Sequence, residues 1–204
     1  MRIRCLLATC LSLGLALPAL AAPRESRRSV SINGVYRFQY VEDAPGKCRV
    51  EVVTDSGPAW TLAKCVADVH DAFFMASDGQ RFWVVKTLPL AVAGSPEYRG
   101  KGRARRMVAP GWAQTVVAVQ YDRTGKVLEQ RRLRELLTGA GYEKVRPLAS
   151  RFTWLQGVNG VPGKGPRLTA QGQVELETVE GRTLVLPLDA GKQAQEGTAK
   201  AAPR

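Results

Sequence analysis

One histidine, two carboxylates and a distant pair of cysteines are the residues of this chain whose chemistry is most distinctive. His70 is the single histidine, and it lies in the segment Asp68-Val69-His70-Asp71. An imidazole oriented by a carboxylate is a suitable general base. The simpler interpretation of the same four residues is a polar turn between two strands.

A hydrolase is therefore the catalytic hypothesis for this sequence. Its acids would come from Asp68, Asp71, Asp78 or Asp122, with His70 as the base, and a nucleophile would come from Ser77 or Ser95. No GxSxG, HExxH or SxxK pattern occurs. No calcium-loop pattern surrounds the aspartates either, so the sequence predicts neither a metal nor a cofactor.

A basic, glycine-rich segment is the second candidate site. Residues 98–107 read YRGKGRARRM, within the longest irregular stretch of the chain, 88–111. Glycine lets such a loop wrap around phosphate or sulfate groups, and arginine offers them paired hydrogen bonds. A solvated loop is the alternative. The predicted anion-binding residues are Tyr98, Arg99, Lys101, Arg103, Arg105, Arg106 and Trp112, with the two aromatic rings available for stacking.

The first 21 residues predict export. Arg2 and Arg4 precede an apolar run from Cys5 to Leu17, which is too short to cross a bilayer. The small residues around Leu20 predict cleavage after Ala21. A cleaved signal peptide indicates a periplasmic or secreted protein.

The charge of the exported chain favours anionic partners. The formal net charge is +12, and removal of Arg2 and Arg4 leaves 12 − 2 = +10. Such a charge attracts acidic polymers, phosphate-bearing lipids or acidic proteins. Nucleic acid is not expected in this compartment. A general bias of the proteome towards arginine would give the same charge without a specific partner.

The cysteines predict one disulfide. Cys5 and Cys10 leave with the signal peptide, so Cys48 and Cys65 remain in an oxidising compartment. Their spacing is not that of a zinc or redox motif. We therefore expect a Cys48–Cys65 disulfide between neighbouring strands.

The pattern of strands and turns predicts a single all-β domain of antiparallel hairpins over residues 29–188, with at most one short helix. Residues 22–28 are expected to be a flexible lead-in and 189–204 a disordered tail. Four turn glycines, Gly34, Gly79, Gly125 and Gly172, are 45, 46 and 47 residues apart. This spacing favours a propeller-like meander of about four units, and a sandwich or open barrel is the alternative.

The stretch from Ala113 to Leu137 predicts the central hairpin. Val116, Ala118 and Gln120 are expected on one face of its first strand, and Val117, Val119 and Tyr121 on the other. Because both rows are mostly apolar, the strand should be buried on both sides. We expect it to support the basic loop that precedes it.

These patterns favour an exported, non-catalytic binding protein that recognises an anionic envelope component through the basic loop. The alternative is an envelope-directed hydrolase that uses the carboxylates near His70. A structural subunit of an exported assembly is a third possibility, and it would expose an apolar patch.

Overall fold

The computed structural model describes residues 25–89, 97–104, 106–147, 152–157 and 165–188. The predicted signal peptide, Arg105, Ser95 and the predicted tail lie outside these residues. The strands are β1 (Glu25–Val30), β2 (Arg37–Ala44), β3 (Lys47–Thr54), β4 (Gly57–Leu62), β5 (Ala72–Met75), β6 (Arg81–Val85), β7 (Glu97–Arg99), β8 (Arg106–Ala109), β9 (Val116–Asp122), β10 (Val127–Arg132), β11 (Arg146–Pro147), β12 (Phe152–Thr153), β13 (Arg167–Leu168), β14 (Gln173–Glu177) and β15 (Thr183–Pro187).

The prediction of an all-β fold built from antiparallel hairpins is confirmed. Strands β1 to β4 form a first sheet in chain order, and the second sheet has the order β10-β9-β6-β5. Strands β13 to β15 form a third sheet, and β7–β8 and β11–β12 form two small ladders. The described strands do not close into a barrel.

The first sheet begins earlier than the sequence predicted. Residues 25–28 were expected to belong to the flexible lead-in, but they pair with β2, with Glu25 opposite Glu42. Strands pair through main-chain hydrogen bonds, and the side chains of residues 25–28 are all polar. The sequence therefore showed no apolar alternation that would have predicted a strand here. The guanidinium of Arg27 also donates a hydrogen bond to the carbonyl of Val69, which attaches this edge strand to the segment before β5.

The second sheet is buried on both faces because its strands are apolar at successive positions. In β6, Phe82 and Val84 face the first sheet, whereas Trp83 and Val85 face the opposite way. All four side chains have no exposed surface. A strand of this kind must lie between two layers.

Strand β9 is central, as predicted. It pairs with β6 on one side and β10 on the other. Ala118 packs into the core on one face and Tyr121 against the core on the other, while Gln120 is 7% exposed. Val117, which was predicted on the face of Tyr121, packs in the same core cluster as Ala118. The amide of Gln120 donates to the main-chain carbonyls of Pro187 and Leu188, which satisfies it inside the core.

Three indole N–H groups donate hydrogen bonds from one layer of the fold to the next. Trp60 of the first sheet donates to the carbonyl of Gly79 in the second, at 2.8 Å. Trp83 of the second sheet donates to Pro187 of the third, and Trp154 donates to Lys86 beside β6, each at 2.8 Å. Each indole buries a large apolar ring and satisfies its polar group at a defined main-chain atom.

The four repeated glycines occupy similar turns, but they do not mark four units. Each has a positive φ and donates its N–H to the carbonyl three residues earlier. Gly34 lies in the first sheet and Gly172 in the third, whereas Gly79 and Gly125 both lie in the second. The even spacing therefore reflects a recurrent turn in three sheets.

Two short helices follow β10, α1 (Leu133–Leu136) and α2 (Gly139–Lys144), where the sequence predicted at most one. A tertiary contact explains the second. The carboxylate of Glu180 accepts hydrogen bonds from the N–H and hydroxyl of Thr138, next to α2. A Cβ on Gly141 would overlap this carboxylate, so glycine serves close packing here.

The Cys48–Cys65 disulfide is present, with a Cα–Cα distance of 4.8 Å. Cys48 lies in β3, but β4 ends at Leu62, so Cys65 does not lie in the neighbouring strand, as the sequence predicted that it would. Cys65 therefore belongs to the segment that crosses from the first sheet to the second. Among the described residues, no helix is long and apolar enough to span a membrane.

Removing both thiols, as Cys48→Ser with Cys65→Ser, is expected to lower the free energy of unfolding by about 3 kcal/mol, because the bond closes a short loop in the unfolded chain. Urea denaturation with and without a reducing agent measures this. The reduced wild-type protein should match the double variant, and a midpoint unaffected by reduction would contradict the expectation.

Gly79→Ala is expected to cost more stability than Gly46→Ala. Both glycines have positive φ, but a Cβ at Gly46 meets open space, whereas one at Gly79 would lie 2.5 Å from the ring of Tyr36. We expect an additional loss of about 1 kcal/mol or more at Gly79 from displacing the ring. Equal urea midpoints for the two variants would show that Tyr36 moves away freely.

Candidate functional site

The basic segment contains a hairpin that the sequence did not predict. Strands β7 and β8 pair antiparallel, with Arg99 opposite Arg106 and Tyr98 opposite Met107. Gly100 and Gly102 have φ values of +90° and +54°, which glycine adopts without strain. The turn between the strands is possible because these two glycines flank Lys101. We call residues 97–109 the cationic hairpin.

Three of the predicted anion-binding residues, Arg99, Lys101 and Arg103, are exposed on the cationic hairpin. None of them forms an ion pair with another described residue. Six arginines elsewhere in the described chain do lie within ion-pair distance of a carboxylate. The pairs are Arg37–Asp55, Arg49–Asp43, Arg81–Asp78, Arg131–Glu129, Arg167–Glu175 and Arg182–Glu180.

Trp112 lies beside the hairpin but packs into the protein. Its ring is 5.3 Å from Phe152 and 5.6 Å from Tyr142, the latter edge-on. It is half-buried in a short helical turn between β8 and β9. This arrangement makes Trp112 part of the base of the hairpin, and it leaves the exposed cations as the groups that reach solvent.

The segment around His70 forms one wall of a cleft of about 620 Å³. We call it the His70 cleft. The other lining residues come from the end of β6, which lies beside Asp71, and from the region around β9, which the sequence did not connect with His70. The lining residues are Cys65, Val66, Ala67, Asp68, His70, Asp71, Lys86, Leu88, Pro89, Thr115 and Tyr121.

Local hydrogen bonds and the disulfide fix the shape of this wall. The main-chain N–H of Asp68 donates to the carboxylate of Asp71 at 3.0 Å, and the N–H of His70 donates to the carboxylate of Asp68 at 2.9 Å. The hydroxyl of Thr87 donates to the carbonyl of His70 at 2.9 Å. Because Cys65 is bonded to β3, the segment is also held at its start.

Asp71 is the most perturbed carboxylate of the cleft. It is 5% exposed, and burial raises its pKa to about 6. The N–H of Asp68 and the charge of Lys86 oppose this rise. A carboxyl group that titrates near neutral pH in a cleft is a candidate functional group.

Two tyrosines next to the cleft are also perturbed. Burial, followed by the nearby carboxylates, raises the pKa of Tyr40 to about 12, and its hydroxyl donates to Ala67 at 2.6 Å. Burial and the charge of Asp71 raise the pKa of Tyr121. Both hydroxyls therefore stay protonated and serve as neutral donors.

The acids proposed for a hydrolase divide between two places. Asp68 and Asp71 share the cleft with His70, whose Nε2 is 4.0 Å from the Asp68 carboxylate. Asp78 and Asp122 lie at the opposite end of the second sheet, where each accepts main-chain hydrogen bonds within a turn. Ser77 lies at that end as well, away from His70.

Sequence reasoning missed Lys86, Thr115 and Tyr121 as members of the cleft. The sequence did mark Lys86 as unusual, because this cation directly follows four apolar residues that are fully buried.

Among the described residues, no group of three His, Cys, Asp or Glu side chains is arranged to hold a metal ion. No protein-family model, curated protein or solved structure significantly matches this chain.

Asp71→Asn is expected to stabilise the protein at pH 7.5. The raised pKa means that the folded state holds the Asp71 proton more tightly than the unfolded state, so the ionised group opposes folding above about pH 6. The gain should be at most about 3 kcal/mol and should disappear as the pH falls towards 4.

Urea denaturation from pH 4 to pH 8 checks this prediction. Asp71→Ala serves as the control, because it removes the charge and also the acceptor for the N–H of Asp68. The difference in the free energy of unfolding between Asp71→Asn and the wild type should therefore change with pH. A constant difference would show that ionisation of Asp71 does not destabilise the folded state.

Proposed function

We propose that this chain is an exported, non-catalytic binding protein that recognises an anionic polymer of the cell envelope through the cationic hairpin. The supporting observation is the exposure of Arg99, Lys101 and Arg103 on one small hairpin, without a carboxylate partner among the described residues. A guanidinium already bound to a carboxylate has fewer N–H donors to offer a ligand, whereas Arg99, Lys101 and Arg103 have no such carboxylate partner among the described residues.

The spacing of the cations suits a polymer with repeated charges. Arg99 ends one strand of the hairpin, Lys101 lies in its turn, and Arg103 lies in the short helical turn that follows. Guanidinium groups bind phosphate, sulfate or carboxylate through paired hydrogen bonds, and ammonium adds a point charge. Successive acidic groups of one polymer would contact successive cations.

The base of the hairpin is well supported, which limits the entropy lost on binding. Ala109, at the end of β8, is buried, and the helical turn after it is anchored through Trp112 on Phe152. The turn leads directly into β9, the central strand of the second sheet. The cations are thus presented from the rigid part of the molecule.

An envelope-directed hydrolase is the second candidate function, and one observation favours it. Asp71, with its raised pKa, lies beside His70 in the same cleft. A carboxyl group able to exchange a proton near neutral pH is suited to general acid–base catalysis. Turnover of peptidoglycan or glycan substrates that is lost in a folded His70→Ala variant would establish this function.

Replacing Arg99, Lys101 and Arg103 by Gln is expected to weaken binding to an anionic polymer. Retention on immobilised dextran sulfate, eluted with a NaCl gradient, gives the measurement. We expect the triple variant to elute at clearly lower salt, because binding to polyanions depends steeply on the number of contacting cations.

The matched control replaces three other exposed cations, Lys47, Arg123 and Lys126, by Gln. Both triple variants lose the same charge, so a diffuse attraction through net charge would shift both equally. Equal elution of the two variants would overturn the hairpin as the binding site. Vesicles rich in phosphatidylglycerol, tested in parallel, reveal whether a lipid surface is preferred to the polymer.

A further inference from the structure

We infer that the His70 cleft is a second binding site, which takes a small zwitterion such as a short peptide with free amino and carboxylate ends. This site is separate from the cationic hairpin and goes beyond the binding of an anionic polymer. The arrangement of charge, the unsatisfied polar groups and the size of the cleft all favour such a ligand.

Charges of both signs line the cleft without pairing. Asp68 and Asp71 supply carboxylates, and Lys86 lies next to Asp71 at the end of the β5–β6 pair, one position beyond the partners Ala72 and Val85. Lys86 is close enough to Asp71 to influence its titration, yet no ion pair within 4 Å joins them. A direct pair would cancel both charges, whereas separated charges leave room for a ligand that carries the complementary groups.

Asp71 gains most from a cationic ligand group. Its carboxylate is almost completely buried, and among the described residues it accepts one hydrogen bond, from the N–H of Asp68. A buried ionised carboxylate needs several hydrogen bonds or a counter-charge to offset its lost hydration. An ammonium group placed against Asp71 would supply both a charge and three donors.

Neutral polar groups of the cleft also have free capacity. The hydroxyl of Thr115 is buried and has no hydrogen-bond partner. The hydroxyl of Tyr121 reaches the carbonyl of Val66 only at 3.5 Å, at the limit of a hydrogen bond. A peptide carbonyl of the ligand can accept a hydrogen bond from the hydroxyl of Tyr121, whereas the hydroxyl oxygen of Thr115 has no exposed surface for a ligand to contact.

The size and charge balance of the cleft exclude simpler ligands. A volume of about 620 Å³ is in the range of small-molecule sites and has room for a dipeptide. A plain anion would meet two carboxylates, and a plain cation would meet Lys86. A neutral sugar would displace water from these charges without providing counter-charges. A zwitterion satisfies both ends of the cleft.

Binding should weaken as the pH falls through about 6, because protonation of Asp71 removes the counter-charge for the ammonium group. The other titratable groups near Asp71 are Asp68 and His70 on its own segment, Lys86 and Tyr121 from the second sheet, and Arg27, Arg28 and Tyr40 from the first sheet. Protonation of His70 would repel the ammonium as well. A His70→Gln variant that retains the pH dependence assigns it to Asp71.

The test uses the purified protein with its disulfide intact and an equimolar panel of L-dipeptides, observed by native mass spectrometry at pH 7.5. The same panel is tested after N-acetylation, which removes the ammonium, and after C-terminal amidation, which removes the carboxylate. We expect members of the free panel to bind and each blocked panel to bind at least tenfold more weakly.

Asp71→Asn and Lys86→Met should each weaken binding of the free panel at least tenfold, whereas the controls Asp122→Asn and Lys126→Met should not. Thermal unfolding confirms that every variant is folded. Failure of the free panel to bind would overturn the inference. Equal binding of free and blocked panels, or unchanged binding by the Asp71 and Lys86 variants, would also overturn it.

The cationic hairpin is tested separately in the same assay. The variant with Arg99, Lys101 and Arg103 replaced by Gln should bind the dipeptides normally, even though it elutes early from dextran sulfate. Cleavage of a bound dipeptide that is lost in Asp71→Asn would support the zwitterion site and would add catalysis to it. Loss of dipeptide binding in the hairpin variant would contradict two separate sites.

Discussion

Burial of the second sheet on both faces is the constraint on which the rest of the structure depends. Phe82 to Val85 are fully buried, so this strand requires a layer on each side. The first sheet supplies one layer, with Phe38 stacked 5.0 Å from Phe73. The third sheet and the two short helices supply the other. Apolar burial is not directional, and the indoles of Trp60, Trp83 and Trp154 give each interface a defined alignment.

The His70 cleft is a consequence of this layering. The chain must cross from the last strand of the first sheet to the edge of the second, and it does so through residues 63–71. The disulfide attaches the start of this crossing to β3. At its end, the carboxylate of Asp71 accepts a hydrogen bond from the N–H of Asp68. Main-chain groups in such a crossing cannot join a ladder, so polar side chains satisfy them. The same side chains then line the His70 cleft.

The cationic hairpin has a different physical character. It is an insertion between β6 and β9, two strands that pair directly with each other. The second sheet is therefore complete without it, and the hairpin is free to carry exposed charge with little cost to the core. The cleft, by contrast, keeps the carboxylate of Asp71 inside the molecule, where burial raises its pKa. An exposed charge suits a polymer in solvent, and a buried one suits a small ligand.

The sequence by itself determined the antiparallel all-β class, the central position of β9, the double burial of β6 and the disulfide, because these depend on local alternation, turn glycines and the number of cysteines. Only the tertiary structure decided that two of the four glycine turns share a sheet, that Trp112 packs inward, and that Asp71, Lys86 and Thr115 line one cleft. Periodicity records which side of a strand is apolar, but it carries no information about which layer covers it. Contacts between residues far apart in the chain arise when the layers stack, and the His70 cleft is made of such contacts.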